Sequence, residues 1–188
     1  TYADTKDMRV ILSNDFEHGD LKGWQPRGNT KIEIVANPQE ASYKSLKITG
    51  RQDGWQGGQI DITDKVEIGK EYTYFIEVYH ENSQSQTFKL TNQIKVPDNT
   101  QPRQLKDDYK QTASVENIPK GIWTTLTGSF IIPDGCTNVI FYPEAPNNGT
   151  LDFFVDNFRI EISPTAVVKP VIDRSIPSLY ETYKEDFT

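Results

Sequence analysis

The chain cannot form a disulfide within itself, because Cys136 is its only cysteine in 188 residues. Stability must come from packing or a bound metal, and the lone thiol reads as a small, buried or half-buried side chain. Histidine is almost as scarce. His18 and His80 are the only two, which leaves no zinc spacing and no serine–histidine or cysteine–histidine couple. No apolar run approaches the roughly 18 residues of a membrane-spanning helix. No leader peptide stands at the N-terminus, and Thr1 reads as a trimmed start. Positive charge is also in deficit: 20 Lys and Arg face 27 Asp and Glu, for a net charge of −7. No basic stretch interrupts this balance, so the phosphates of a nucleic acid would be repelled.

Hydrophobic residues make up only 35% of the chain, yet aromatics reach 11%, with nine Tyr, nine Phe and three Trp. Poor in aliphatics and rich in rings with polar edges, this composition suits a core plus a wet binding surface. The charge deficit favours a neutral ligand, and a polysaccharide is neutral or nearly so.

Strand signals run along the chain. Over 86–95, Phe88, Leu90 and Ile94 alternate with Lys89, Thr91, Gln93 and Lys95, the period of two of a half-buried strand. Further strands are expected over 31–36, 45–51, 58–63, 70–80, 122–132, 138–144 and 151–162, with shorter ones near 9–16 and 109–116. Turn chemistry separates them, as at Asn37-Pro38, Pro133-Asp134-Gly135 and Asn147-Asn148-Gly149. Short strands at this spacing imply an all-β fold, an antiparallel β-sandwich of the jelly-roll kind, over residues 1–162. Aromatics on both faces of 70–80 suggest a concave outer surface on one sheet. Residues 163–175 carry two prolines and no alternation and read as a linker. Ser178 and Glu181 then form a capping box, opening a helix in 176–188, the front of a second domain.

An ordered set of segments runs through the first 162 residues. It comprises Asn14-Asp-Phe-Glu-His-Gly19, Gly23-Trp24, Arg27-Gly28, Ser45-Leu-Lys-Ile-Thr49, Arg51, Trp55-Gln-Gly57, Gly69 before Tyr72, Trp123, Phe141-Tyr-Pro-Glu144 and Phe153-Phe-Val-Asp-Asn-Phe158. In order and spacing this set resembles family 22 carbohydrate-binding modules, xylan-binding jelly rolls attached to xylanases. Ile176-Pro-Ser-Leu-Tyr-Glu181 with Tyr183, Lys184 and Phe187 is similar to the opening of family 10 xylanase catalytic domains.

Several residues then become candidates for ligand contact. Trp55 lies among Gly54, Gly57, Gly58 and polar residues, so it is either displayed at a loop edge or covers the end of the sandwich. The resemblance implies that it packs against a xylose ring. Tyr142 and Glu144 share one strand face by periodicity. They form either a recognition pair, ring platform beside hydrogen-bond acceptor, or a solvated surface pair, and the resemblance places them in the cleft. Pro143 between them argues for an edge or bulge. Arg27 offers a planar fork of donors; it is a cleft residue by resemblance or else the partner of a nearby acid. Tyr109 lies outside any apolar run, and the resemblance sets a Tyr near this place opposite the Trp. Trp24 and Trp123 read as core.

The resemblance also implies a structural calcium between the first and last strands, held by Glu17 and Asp156 with carbonyls near Tyr43 and Lys44. Calcium takes six to eight hard oxygen ligands; the alternative is two acids capping a sheet edge.

Three functions stand against one another at this point. The first is non-catalytic binding of xylan and xylo-oligosaccharides by a secreted, monomeric module linked covalently to a xylanase, with neither nucleic acid nor membrane as partner. The second is a small glycoside hydrolase, which needs two carboxylates about 5–10 Å apart in a cleft. The third is a structural module with a degenerate cleft.

Overall fold

The computed structural model describes residues 8–164. Eleven strands make two antiparallel sheets: β1 (Val10–Asn14), β2 (Trp24–Arg27), β3 (Lys31–Ala36), β4 (Lys44–Thr49), β5 (Gly57–Asp61), β6 (Glu71–His80), β7 (Gln86–Pro97), β8 (Leu105–Ile118), β9 (Thr124–Ile131), β10 (Asn138–Glu144) and β11 (Phe153–Ile162). A 3₁₀ turn, Thr63–Lys65, follows β5. One sheet runs β3-β4-β11-β6-β9, with β1 added alongside β11; the other runs β2-β5-β10-β7-β8. The expected all-β sandwich is therefore the fold.

Alternation builds the core between the sheets. Phe88, Leu90 and Ile94 of β7 point inward with Val139 and Phe141 of β10. They meet Tyr72, Tyr74, Ile76 and Val78 of β6 and Phe153, Val155, Phe158 and Ile160 of β11. Trp24 sits among rings, with Phe158 5.1 Å away edge-on and Phe141 at 6.4 Å. Edge-to-face packing of this kind adds about 0.5–1.5 kcal/mol per pair beyond the area buried.

Three local features differ from expectation. The segment holding Arg27 is a strand, β2, not only a turn. It is the edge of its sheet, pairing with β5 alone, so Pro26 removes no ladder bond toward a second neighbour. Weak strand character near 109–116 becomes a 14-residue strand, β8. Trp123 is not core: it lies half-buried on Tyr79, ring centroids 5.2 Å apart, and its indole N–H donates to Asn37 Oδ1 at 3.2 Å.

Pro143 does sit at a local edge. β10 pairs with β7 as far as Glu144, but its ladder to β5 ends at Phe141. The aromatics of β6 do not mark the binding surface. Phe75 lies under the Arg159 guanidinium, 4.1 Å from the ring centroid, and Tyr79 packs on Trp123 and Phe154. Both belong to the sheet opposite the groove described below.

β11 changes partner halfway. Phe153–Val155 pair with β4, and residues from Phe158 onward pair with β1. Its register against β6 shifts between Asp156 and Arg159, and Asn157 adopts φ +49°, a bulge that makes room for the change. β11 ends at Ile162, and Ser163 is still bound to the sandwich: its N–H donates to Glu71 O and its hydroxyl lies 2.7 Å from Thr73 Oγ1. The rest of the expected linker and the helix start in 176–188 lie outside the described residues.

Candidate functional site

A groove of about 530 Å³ crosses the outer face of the five-stranded sheet. Every strand contributes to its lining: Arg27 from β2, Gln59 from β5, Tyr142 from β10, Gln93 from β7 and Tyr109 from β8. Trp55, on the loop between β4 and β5, completes it. Alternation puts these side chains on one face, since their strand neighbours Ile60, Phe141 and Ile94 belong to the core. Trp55 is 45% exposed and Tyr109 53%. They stand at opposite margins of the sheet, with the polar floor between them. Of the two sequence readings of Trp55, loop-edge display is the one realised.

Arg27 is the centre of the floor. Its guanidinium carbon lies 3.6 Å from the Tyr142 ring centroid. Nη1 donates to Gln59 Oε1 at 2.9 Å and to Gln93 Oε1 at 2.8 Å, and Nε donates to the Trp55 carbonyl at 3.2 Å. Among the described residues no carboxylate pairs with it, so neutral acceptors alone hold the cation. An arginine pinned in this way loses little freedom when it donates.

Tyr142 corrects the sequence reading. Its ring is 3% exposed and Arg27 covers one face, so it is no free stacking platform. It supports Arg27 from below. Its hydroxyl is pushed up to about 12, first by burial, with the Arg27 charge opposing. Glu144 flanks the groove on the same strand face and is also buried. Thr91 Oγ1 donates to its Oε1 at 2.9 Å. Burial raises its pKa above the ordinary carboxylate value, against the Thr91 bond and the charges of Lys89, Arg27 and Arg51. Sequence reasoning missed Gln59 and Gln93, although both alternate with core residues on strands it had placed. None of the residues lining the groove carries the pair of carboxylates that glycoside hydrolysis requires.

At the far end of the other sheet, Asp15, Glu17, Asn37, Tyr43, Asp156 and Asn157 line a smaller depression. β1 and β11 do lie side by side, as expected. Burial raises the Asp156 carboxyl to about 7, with the charges of Glu77, Glu17 and Asp15 acting in the same direction. Glu17 Oε2 accepts the Lys44 backbone N–H at 2.7 Å, and the Tyr43 carbonyl already accepts from Asn37 N–H at 2.8 Å. Lys44 therefore meets Glu17 through its amide. No cluster of three or more His, Cys, Asp or Glu is ready-formed for a metal among the described residues. Oxygen donors of the kind calcium takes are present, with backbone carbonyls needed to complete a shell.

Comparison with known proteins gives the family. Residues 9–150 match the family described as "Carbohydrate binding domain" (CBM_4_9). Endo-1,4-beta-xylanase A of Thermotoga maritima is 34% identical over 183 residues, 95% of this chain and 16% of that protein. Its counterpart in Thermoanaerobacterium saccharolyticum is 32% identical over 181 residues, 95% of this chain and 15% of that protein. The chain thus spans about one-sixth of the length of these curated relatives. Among solved structures, the CBM22-2 xylan-binding domain of Paenibacillus barcinonensis Xyn10C superposes with a TM-score of 0.70 at 24% identity, covering 81% of this chain and 99% of that one. A xylan-binding domain from CBM 22 reaches 0.73 at 19% identity, covering 84% and 97%. The chain belongs to this carbohydrate-binding domain family: it is a non-catalytic β-sandwich module with the fold of the family 22 modules.

Proposed function

We propose that this module binds xylan and xylo-oligosaccharides in the groove of its five-stranded sheet and so holds an attached, secreted xylanase against plant cell-wall polysaccharide. The observation that carries the reading is the pair of exposed rings, Trp55 and Tyr109, flanking a floor of Arg27, Gln59 and Gln93. Pyranose rings have apolar faces and a polar rim. Rings at the margins take the faces, and the amides and guanidinium take the hydroxyls. A degenerate cleft would have lost one or both of these exposed rings. The relatives support xylan as the polymer, since they are named endo-1,4-beta-xylanases, and support a larger enzyme as the context, since the chain spans about one-sixth of their length. Tethering raises the local concentration of the enzyme at its substrate. Native electrophoresis through a gel containing soluble xylan tests the binding: retarded migration relative to a polysaccharide-free gel is expected, and equal mobility contradicts it.

A structural calcium is part of the proposal. Glu17 and Asp156 would hold it with the carbonyls of Tyr43 and Lys44, and Asp15 is an additional candidate from the same depression. The support is physical: a buried Asp156 crowded by Glu77, Glu17 and Asp15 has no cationic partner among the described residues. A divalent cation would neutralise that repulsion while fastening the first strand to the last.

A further inference from the structure

Arg51 lies just after β4, outside the lining of the groove, and is almost wholly buried. Its guanidinium spends every N–H on a backbone carbonyl. Nε donates to Gln56 O at 2.7 Å; Nη1 donates to Asn148 O at 2.7 Å and Leu151 O at 3.0 Å; Nη2 donates to Gly54 O at 2.8 Å and Ala145 O at 3.0 Å. Those carbonyls belong to two loops. Gly54 and Gln56 bracket Trp55. Ala145, directly after Glu144, and Asn148 and Leu151 belong to the loop between β10 and β11.

The two loops touch as closely as backbones can. A Cβ on Gly54 would stand 2.5 Å from Pro146 O, and one on Gly149 would stand 3.0 Å from Asp53 Cα. Glycine at 54 is thus required by space. The Phe153 ring closes the cluster from the core side, 5.2 Å from the guanidinium carbon. Among the described residues no carboxylate bonds to Arg51 directly. Burial lowers its pKa to about 10, with the charges of Glu144, Asp152 and Asp53 opposing, so it stays charged at neutral pH.

We propose that Arg51 is a positioning residue for ligand binding: one buried guanidinium fixes the loop that carries Trp55 to the loop that follows Glu144, setting the separation between the aromatic margin and the acid acceptor before the ligand arrives. The inference rests on the xylan reading only for the identity of the ligand. A loop already ordered in the free protein loses little conformational entropy when a sugar docks on its tryptophan, and pre-organisation of this kind raises affinity without a contact. Lysine cannot replace the arginine, because a point charge with three donors cannot reach five carbonyls in a planar fork.

The test uses Arg51→Lys and Gly54→Ala, the second of which forces the loops apart while leaving the guanidinium in place. Trp123→Leu serves as control, since Trp123 packs on Tyr79 on the opposite sheet. In the free protein, backbone ¹⁵N order parameters for residues 53–57 should be those of a rigid segment in the wild type and in Trp123→Leu. They should fall toward the flexible range, below about 0.6, in both loop variants. Calorimetric titration with xylohexaose should show affinity weakened roughly tenfold in both, about 1.4 kcal/mol, with the loss carried by entropy, and unchanged affinity in Trp123→Leu. Order parameters that stay at wild-type values in either folded loop variant overturn the proposal. So does wild-type affinity in a folded Arg51→Lys. A wild-type protein that ignores xylohexaose sinks the xylan reading instead, and the loop measurement still decides the role of Arg51.

Discussion

Replacing Trp55 with alanine separates binding from folding more cleanly than any other change in the groove. The residue is 45% exposed, which for a side chain of up to about 250 Å² leaves on the order of 110 Å² in water. A pyranose ring laid on one face would cover roughly half of that, and would lose a similar area of its own. About 100 Å² of apolar surface at about 25 cal/mol per Å² is worth on the order of 2.5 kcal/mol, or roughly 70-fold in affinity. Apart from the Arg27 contact with the indole, the cost to folding should stay within about 0.5 kcal/mol, the usual range for an exposed substitution. One compensation is built in: the Trp55 carbonyl, not its ring, holds Arg27 Nε, so the floor survives. The cation–π contact of Arg27 with the indole, 5.7 Å to the centroid, is lost and adds about 0.5–1 kcal/mol to the local change. Calorimetric titration of xylohexaose into the wild type and the variant, with melting curves for both, measures the two quantities. A folded Trp55→Ala within twofold of wild-type affinity would refute the reasoning.

Glu144→Ala should weaken xylohexaose binding by roughly 1.5–3 kcal/mol, the worth of a hydrogen bond to a charged acceptor, and leave hydrolysis at zero. Its effect should couple with that of Tyr142→Ala, because Arg27 lies over Tyr142 and its charge acts on Glu144. Strictly additive losses in the double variant would place them in separate sites. Affinity should decline on acidification starting above the ordinary carboxylate range, since burial raises the pKa of Glu144 and its acceptor form is lost as pH falls through that value. The stability linkage has the opposite sign: a raised folded-state pKa favours the protonated folded form, so this acid's contribution is full at low pH and is lost as pH rises through the same value. Titrations in a pH series read the first and melting curves the second, and a flat affinity profile down to the ordinary range would remove Glu144 from the contact. Chelation should lower the melting temperature without unfolding the protein at room temperature, because a ligand of the folded state stabilises by mass action. Identical melts after verified metal removal would count against the calcium site.

Much of the fold was legible because parity along a strand is a local property. The alternation over 86–95 lies within β7, Gln86–Pro97, and 138–144 is β10 residue for residue. Parity also set Tyr142 and Glu144 on the face opposite Val139 and Phe141, which belong to the core. It was not applied to Trp123, which has opposite parity to Leu126 of β9 and therefore faces outward. β2 was missed because four residues containing Pro26 carry no period, and its pairing with β5 is set by contacts 30 to 36 residues away. The Tyr142 reading failed for a non-local reason as well. Periodicity states which face a ring is on, but not that an arginine two strands over will lie across it. Arg51 stood in the sequence as one residue of a motif, and its importance comes from carbonyls nearly 100 residues distant, which no local pattern encodes.

Where the sugar lands decides the function of the groove most directly. Titrating xylohexaose into ¹⁵N-labelled protein and following backbone and side-chain amide shifts measures this in one experiment. The largest shifts should fall on the Trp55 indole, the side-chain amides of Gln59 and Gln93, and the backbone of Tyr109 and Glu144, with Phe75, Tyr79 and Trp123 on the opposite sheet unmoved. Shifts concentrated on that opposite sheet, or none at saturating sugar, would contradict it.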